Sequence, residues 1–233
     1  MKRKIDLSVP NALQNAANED KMSVFWAKTD DSLELFLYGV VGDEYTESDA
    51  GSISRVLAQH KNHPVTLRIN SGGGLAFDGL AIYNALADHP APTTAVIESL
   101  AASAASLAAI GADRVLMYDN AVYHIHEGLA IGFGHIADLR ETIDWLEKFN
   151  AAAVDTYAAK TGKSKDLIAQ ALLGANGDGT KYNAQDALDF GFVDEVITAG
   201  KKKQKKQPKA QVSIGNRLKQ QRLQFEIEKL RLM

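Results

Sequence analysis

The sequence predicts a single α/β domain built mainly on parallel strands. Three observations carry this: strand-like and helix-like segments alternate between residues 33 and 197, breaks containing Gly or Pro separate them, and 45% of the 233 residues are hydrophobic against 24% charged, enough for one sizeable core.

Taken in order, residues 1–22 are polar and without periodicity, which marks a loose N-terminal arm ahead of a domain at 23–198. From Ser32 to Val41, Leu33, Leu35 and Leu37 alternate with Glu34, Phe36 and Tyr38, predicting a strand that ends at Gly42-Asp43. Thr46 is placed to cap a helix carrying Ile53, Val56 and Leu57 on one face. Pro64 to Asn70 is the second strand, broken by Ser71-Gly72-Gly73-Gly74, and a helix with Leu80, Tyr83 and Leu86 then runs to His89-Pro90. Thr93 to Glu98 is the third strand. It leads into Ser99 to Gly111, a run of small residues that reads as a tightly packed helix start. Short strands at Arg114–Tyr118 and Ala121–His126 flank the turn Asp119-Asn120. A long helix is expected from about His135 to Lys160, with Ile143, Leu146 and Phe149 in its apolar stripe, and another from Lys163 to Leu173. After the Gly-rich stretch 174–179 come a short helix at Ala184–Asp189 and a last strand at Phe192–Ile197. A basic linker at 199–212 precedes a helical tail at 213–233, where Leu218, Leu223, Phe225, Ile227 and Leu230 recur loosely at helical spacing.

Composition narrows the function. Cysteine is absent, which excludes disulfides, thiolate zinc sites and a cysteine nucleophile, and fits a reducing compartment. The basic start Met1-Lys2-Arg3-Lys4 lacks the apolar stretch of a secretory signal, and no run approaches a membrane span, so a cytoplasmic protein without membrane contact is expected. The net charge of −3 conceals a division: residues 201–233 hold eleven Lys/Arg and two Asp/Glu, a net of +9, leaving −12 on residues 1–200. Such a tail suits nucleic acid or any acidic surface, including the acidic body of its own protein, or serves solubility alone.

Within Ser99–Gly111 one hydroxyl stands out, that of Ser103. A serine near the positive end of a helix sits where negative charge is stabilised, the setting an acyl-transfer nucleophile needs. The plainer alternative is an Ala-rich buried helix whose serines bond back to their own turn. Asn70-Ser71-Gly72-Gly73-Gly74 lies where a strand meets a helix, so its amides can face an oxyanion; it has neither dinucleotide-fingerprint spacing nor the Lys-Ser/Thr of a P-loop, which argues against nucleotide binding. His124 and His126 flank Ile125 on a strand and point the same way, whereas Glu127 points to the opposite face, which weakens a metal reading. Either histidine is close enough in sequence to pair with Ser103 as a general base, and spacing alone does not choose between them.

The order of these pieces resembles the ClpP serine peptidases: Ile69-Asn70-Ser71-Gly72-Gly73-Gly74, Gly79-Leu80-Ala81-Ile82-Tyr83, Ala101-Ala102-Ser103-Ala104, Ile125-His126, then Ala184-Gln185-Asp186-Ala187 with Gly191-Phe192-Val193-Asp194. The similarity spans roughly 33–197. The wording Ala-Ala-Ser-Ala-Ala-Ser is nearest the phage branch, the ClpP-like head maturation (prohead) proteases.

The resemblance implies a ClpP/crotonase-like spiral of β-β-α units with the 135–160 helix as a handle, extended here by the basic C-terminal helical tail. It implies Ser103 as nucleophile, with Ser106 in a packing or capping role, and His126 as base, with His124 as its neighbour. The amides of Gly74 and Ala104 match the oxyanion hole. Substrate strands would pair beside Gly73 and Leu75 on one side and Glu127 and Gly128 on the other. The third member falls one residue off: alignment on Ala184 puts Gly179 where the family has an acid, so Asp178 is taken as the orienting acid, with Asp155 or no acid as alternatives. Gly72 stands where most relatives have Pro. No metal or cofactor is expected.

The function implied is serine endopeptidase chemistry through an acyl-enzyme, independent of ATP in itself, on a polypeptide such as a phage capsid or scaffold protein. A homo-oligomeric ring, heptameric or double, is implied too, with the tail recruiting an acidic partner or scaffold. The alternatives are the proteolytic subunit of an ATP-dependent Clp-type protease and a non-catalytic ClpP-fold assembly protein. A crotonase-type acyl-CoA binder is weaker, since that fold lacks a nucleophile at the Ala-Ala-Ser position.

Overall fold

The computed structural model describes residues 25–28, 32–43 and 48–199. The 1–22 arm, the 213–233 tail and the 199–212 linker beyond Ala199 lie outside those residues. Strand β2 (Leu33–Val41) follows its alternation, with Leu33, Leu35, Leu37 and Val41 buried. A short strand that no periodicity marked, β1 (Phe25–Lys28), pairs antiparallel along it. From β2 the sheet runs parallel through β3 (Val65–Gly74), β4 (Thr93–Ala102), β5 (Arg114–Tyr118) and β8 (Glu195–Ile197). This is the α/β fold with a parallel sheet that the alternation predicted. Across its open face Arg68 is held between Glu34 at 2.9 Å and Glu98 at 2.8 Å.

Helices α1 (Ala50–Gln59) and α2 (Ala76–Ala87) connect these strands. The cap of α1 is Asp49, whose carboxylate accepts from the Ser52 amide at 2.9 Å, and not Thr46, which lies outside the described residues. A short acidic side chain does the capping three positions later than expected.

The larger differences are in the strands. β3 continues through Ser71-Gly72-Gly73-Gly74 to pair with Val40 and Val41, and β4 continues through Ser99-Leu100-Ala101-Ala102. Of the small-residue run only the six residues of α3 (Ala104–Ala109) are helical. Good helix formers are strand here because pairing and burial outweigh propensities of tenths of a kcal/mol per residue. β4 also changes partner. Thr94 to Ile97 pair with β5, whereas Leu100 to Ala102 pair with Val122 to His124 of β6 (Val122–Ile125), which in turn lies antiparallel to β7 (Thr180–Asn183). That fork brings a histidine-bearing strand beside residue 103.

The long helix is α4 (Ile136–Thr161), capped by His135 and ended by left-handed Gly162. Of its predicted stripe only Phe149 is buried, while Ile143 is 54% exposed; the buried face continues instead through Ala153 and Tyr157. Ser164 caps α5 (Lys165–Leu173), and α6 (Ala184–Phe190) follows β7. Phe192, expected in the last strand, precedes it and is buried between Tyr123 at 4.9 Å and Phe190 at 4.7 Å. Among the described residues no helix is long and apolar enough to cross a membrane.

Candidate active site

Ser103 joins β4 to α3 with φ 54 and ψ −126, the only non-glycine residue of positive φ among those described. Such a backbone costs about 1–3 kcal/mol and persists only where its surroundings hold it. Here they do: the Ser103 amide donates to the His124 carbonyl at 2.9 Å, and the Ser103 carbonyl accepts from the Ser106 amide at 2.9 Å and the Ser106 hydroxyl at 2.6 Å. The serine that bonds back to its own turn is therefore Ser106. Ser103 makes no such capping bond, and its hydroxyl is left for the cleft.

The glycine turn lies against it. Gly73 has φ +97, and a Cβ there would come 2.6 Å from Ser103 Cβ and 3.2 Å from the Ala104 nitrogen. Only glycine permits that approach. The turn is fixed from beneath by Ser71, whose hydroxyl donates to the Gly39 carbonyl at 2.6 Å and accepts from the Gly73 amide at 3.1 Å. A Cβ on Gly72 would meet nothing within 4 Å, so a side chain is sterically allowed there. Ala104 opens α3, and the first amide of a helix has no acceptor within it.

Ser103, Ala104, Gly74, Leu75 and His126 line one cleft of about 330 Å³. Glu127 and Gly128 line it too, while Gly73 packs behind the serine. Its apolar wall is Leu107, Leu129, Phe149 and Tyr157, and Phe149 meets Phe77 edge-on at 5.6 Å.

The two histidines are adjacent, with ring centroids 5.3 Å apart, and differently engaged. His124 Nε2 donates to the Asp178 carbonyl at 3.0 Å. Burial, followed by the charges of Lys181 and His126, pushes its pKa down against the effect of that bond. His126 Nδ1 lies 2.6 Å from the Glu127 carbonyl. Since a carbonyl only accepts, Nδ1 carries a proton, and in the neutral ring that leaves Nε2 as the acceptor. No hydrogen bond joins His126 to Ser103 in this conformation.

Neither candidate acid hydrogen-bonds to His126. The Asp178 carboxylate is exposed and paired with Lys181 at 3.0 Å, whose hydrogen bond and charge hold it below the usual carboxylate range. Asp155 pairs with Lys165 at 2.6 Å. Gly179, with φ +80, packs directly behind His126: a Cβ there would lie 2.5 Å from His126 Cβ and on top of the Ile125 carbonyl. The position where the motif alignment expects an acid is therefore held by Gly179, and the neighbouring Asp178 carboxylate is turned to Lys181.

Two contacts from α4 had no signal in the local sequence. Asn150 Oδ1 accepts from the Gly128 amide at 2.7 Å, and Tyr157 Oη lies 2.6 Å from Ser106 Oγ. The i, i+4 spacing of Phe149, Ala153 and Tyr157 marks a buried face, but not what that face meets.

A family model described as Clp protease matches residues 17–200. Proteins described as ATP-dependent Clp protease proteolytic subunits are similar: subunit 2 of Thermobifida fusca is 30% identical over 70% of this chain and 80% of its own, and subunit 1 of Protochlamydia amoebophila 28% over 72% and 82%. Among solved structures, a ClpP1 mutant from Listeria monocytogenes shares the fold, with a TM-score of 0.60 at 21% identity, covering 71% of this chain and 91% of that one. With the family model spanning most of the chain, this protein belongs to the Clp protease family.

Proposed function

We propose that the chain is a serine endopeptidase in which Ser103 attacks a peptide carbonyl and His126 serves as general base. The observation that carries this is the pairing, in one cleft, of a serine on a strained and heavily bonded turn with a histidine whose Nδ1 proton is already placed. Closure of the His126 ring onto Ser103 lets Nε2 take the hydroxyl proton as Oγ bonds to the carbonyl carbon. The oxyanion then lies against the amides of Ala104 and Gly74, an arrangement worth about 3–4 kcal/mol per donor in comparable sites. The imidazolium returns its proton to the leaving amine, and water deacylates the serine by the same route. Substrate backbone runs between Gly73-Gly74-Leu75 and Glu127-Gly128.

Asp178 is the orienting acid of this proposal. To serve, its carboxylate must leave Lys181 and replace the Glu127 carbonyl at His126 Nδ1.

The substrate we propose is a capsid or scaffold protein of a phage head, cut by a homo-oligomeric ring of this chain without ATP, with the basic tail binding an acidic scaffold surface. The Ala-Ala-Ser-Ala-Ala-Ser wording and the tail's +9 charge support it. A second reading, a proteolytic subunit working with an ATPase, is favoured by the relatives' descriptions. Incubating wild type and Ser103→Ala with an unfolded substrate tests the chemistry: cleavage is expected to fall by about three orders of magnitude or more. Equal cleavage would leave a non-catalytic assembly protein. Cleavage of a co-expressed scaffold without any ATPase separates the two roles.

A further inference from the structure

The hydroxyl of Ser106 is completely buried and placed between two oxygens, the Ser103 carbonyl at 2.6 Å and Tyr157 Oη at 2.6 Å. It has one proton, and the carbonyl can only accept, so the proton goes to Ser103. Tyr157 must then donate to Ser106. The direction of the whole chain follows: Tyr157 Oη–H to Ser106 Oγ, and Ser106 Oγ–H to Ser103 O. Tyr157 is only 2% exposed, and burial raises its pKa, which keeps the phenol a neutral donor.

The Ser103 carbonyl and the Ala104 amide belong to one peptide unit. Because that unit is planar and trans, fixing the direction of the carbonyl fixes the amide pointing the opposite way. That amide is the oxyanion donor of the proposed mechanism, and it sits on a backbone whose φ of +54 is otherwise unfavourable. We infer that Tyr157, acting through Ser106, is a positioning residue that aims the Ala104 amide at the reacting carbonyl oxygen. The inference rests on Ser103 being the nucleophile. It adds that helix α4, 54 positions on in sequence, holds half of the oxyanion hole in place.

Tyr123 provides an internal control. It is also fully buried, and its hydroxyl donates at 2.6 Å to the carbonyl of the same Ser106, away from the 103–104 peptide. Removing either phenol takes one buried hydrogen bond from the same residue, but only one of them lies on the route to Ala104.

The test uses the full-length chain and a peptide substrate, with kcat and KM measured separately and thermal unfolding followed in parallel. Tyr157→Phe is expected to lower kcat about tenfold, a fraction of the 10²–10³ that removing an oxyanion donor outright costs, with KM changed less than about twofold. Ser106→Ala should do the same, Ser106→Thr should restore most of the rate, and Ser106→Ala with Tyr157→Phe should be no slower than the worse single variant. Tyr123→Phe should lose stability and keep kcat. A wild-type kcat in Tyr157→Phe, a loss confined to KM, or an equal kcat loss in Tyr123→Phe would overturn the inference while the peptidase reading stands. A wild type that cleaves nothing, with Ser103 unreactive, would bring down both. If Ser106→Ala does not fold, the Tyr157→Phe and Tyr123→Phe pair decides alone.

Discussion

The turn that carries Ser103 and the loop that carries Asp178 lie on opposite edges of strand β6 and are built in opposite ways. At Ser103 an unfavourable backbone is held by four hydrogen bonds to its amide and carbonyl, drawn from β6, α3 and the Ser106 side chain. At 174–179 three glycines take positive φ, and the carboxylate is exposed and tied to a lysine three residues on. The contrast teaches that the proposed nucleophile and base are placed by the sheet, whereas the proposed orienting acid depends on a surface loop. Strand pairing fixes the first through the β4–β6 register, whereas three glycines of positive φ shape the loop that carries the second.

The largest effect expected from this contrast is at the base. His126→Ala should lower kcat by three orders of magnitude or more, on the order of 4 kcal/mol, while His124→Ala, whose ring bonds a backbone carbonyl, should stay within about threefold. The reverse pattern in peptide hydrolysis would exchange their roles. Asp178→Asn should cost about 10–100-fold, less than the roughly 10⁴ seen when a triad acid is fully engaged, because the Glu127 carbonyl still holds Nδ1. Lys181→Ala, which frees the Asp178 carboxylate, should raise kcat. No change in either would leave the backbone carbonyl as the sole orienting group.

The smallest effect is a control far from β6. Burial pushes the Asp49 pKa up, but hydrogen bonds from Ser52 and Gly51 outweigh it and hold the carboxyl below its ordinary 3.8. A depressed folded-state pKa means that this stabilisation is present above the unfolded value and is lost as pH falls through the folded one. Asp49→Ala should therefore cost about 1 kcal/mol at pH 7 and progressively less as pH falls below 3.8, read from urea midpoints, with kcat unchanged at pH 7. A loss of kcat there would show that activity tracks global stability, and would weaken the contrast between the two edges of β6.

The α/β class was legible because Leu33, Leu35 and Leu37, and later Phe149, sit in runs whose period matches the element they form. Ser103, His124 and His126 stood out as chemistry-bearing residues, and a choice between the histidines came only with the family resemblance. The Ser99–Ala102 segment was misjudged, since its helix propensity is local and the pairing with β6 that overrides it is not. Thr46 lost the capping role to Asp49 because several nearby polar residues are equally able to cap. Where the Asp178 carboxylate points and what the Tyr157 phenol meets were beyond local pattern altogether. One depends on the path of a glycine loop around His126, the other on where a helix of 26 residues crosses the Ser103 turn.

The most direct test of the account is the reaction of the full-length protein with a fluorophosphonate, followed by mass spectrometry of its peptides. An adduct is expected on Ser103, none on Ser99 or Ser106, with labelling slowed by about 100-fold or more in His126→Ala. An unmodified Ser103, or one labelled equally fast without His126, would contradict it.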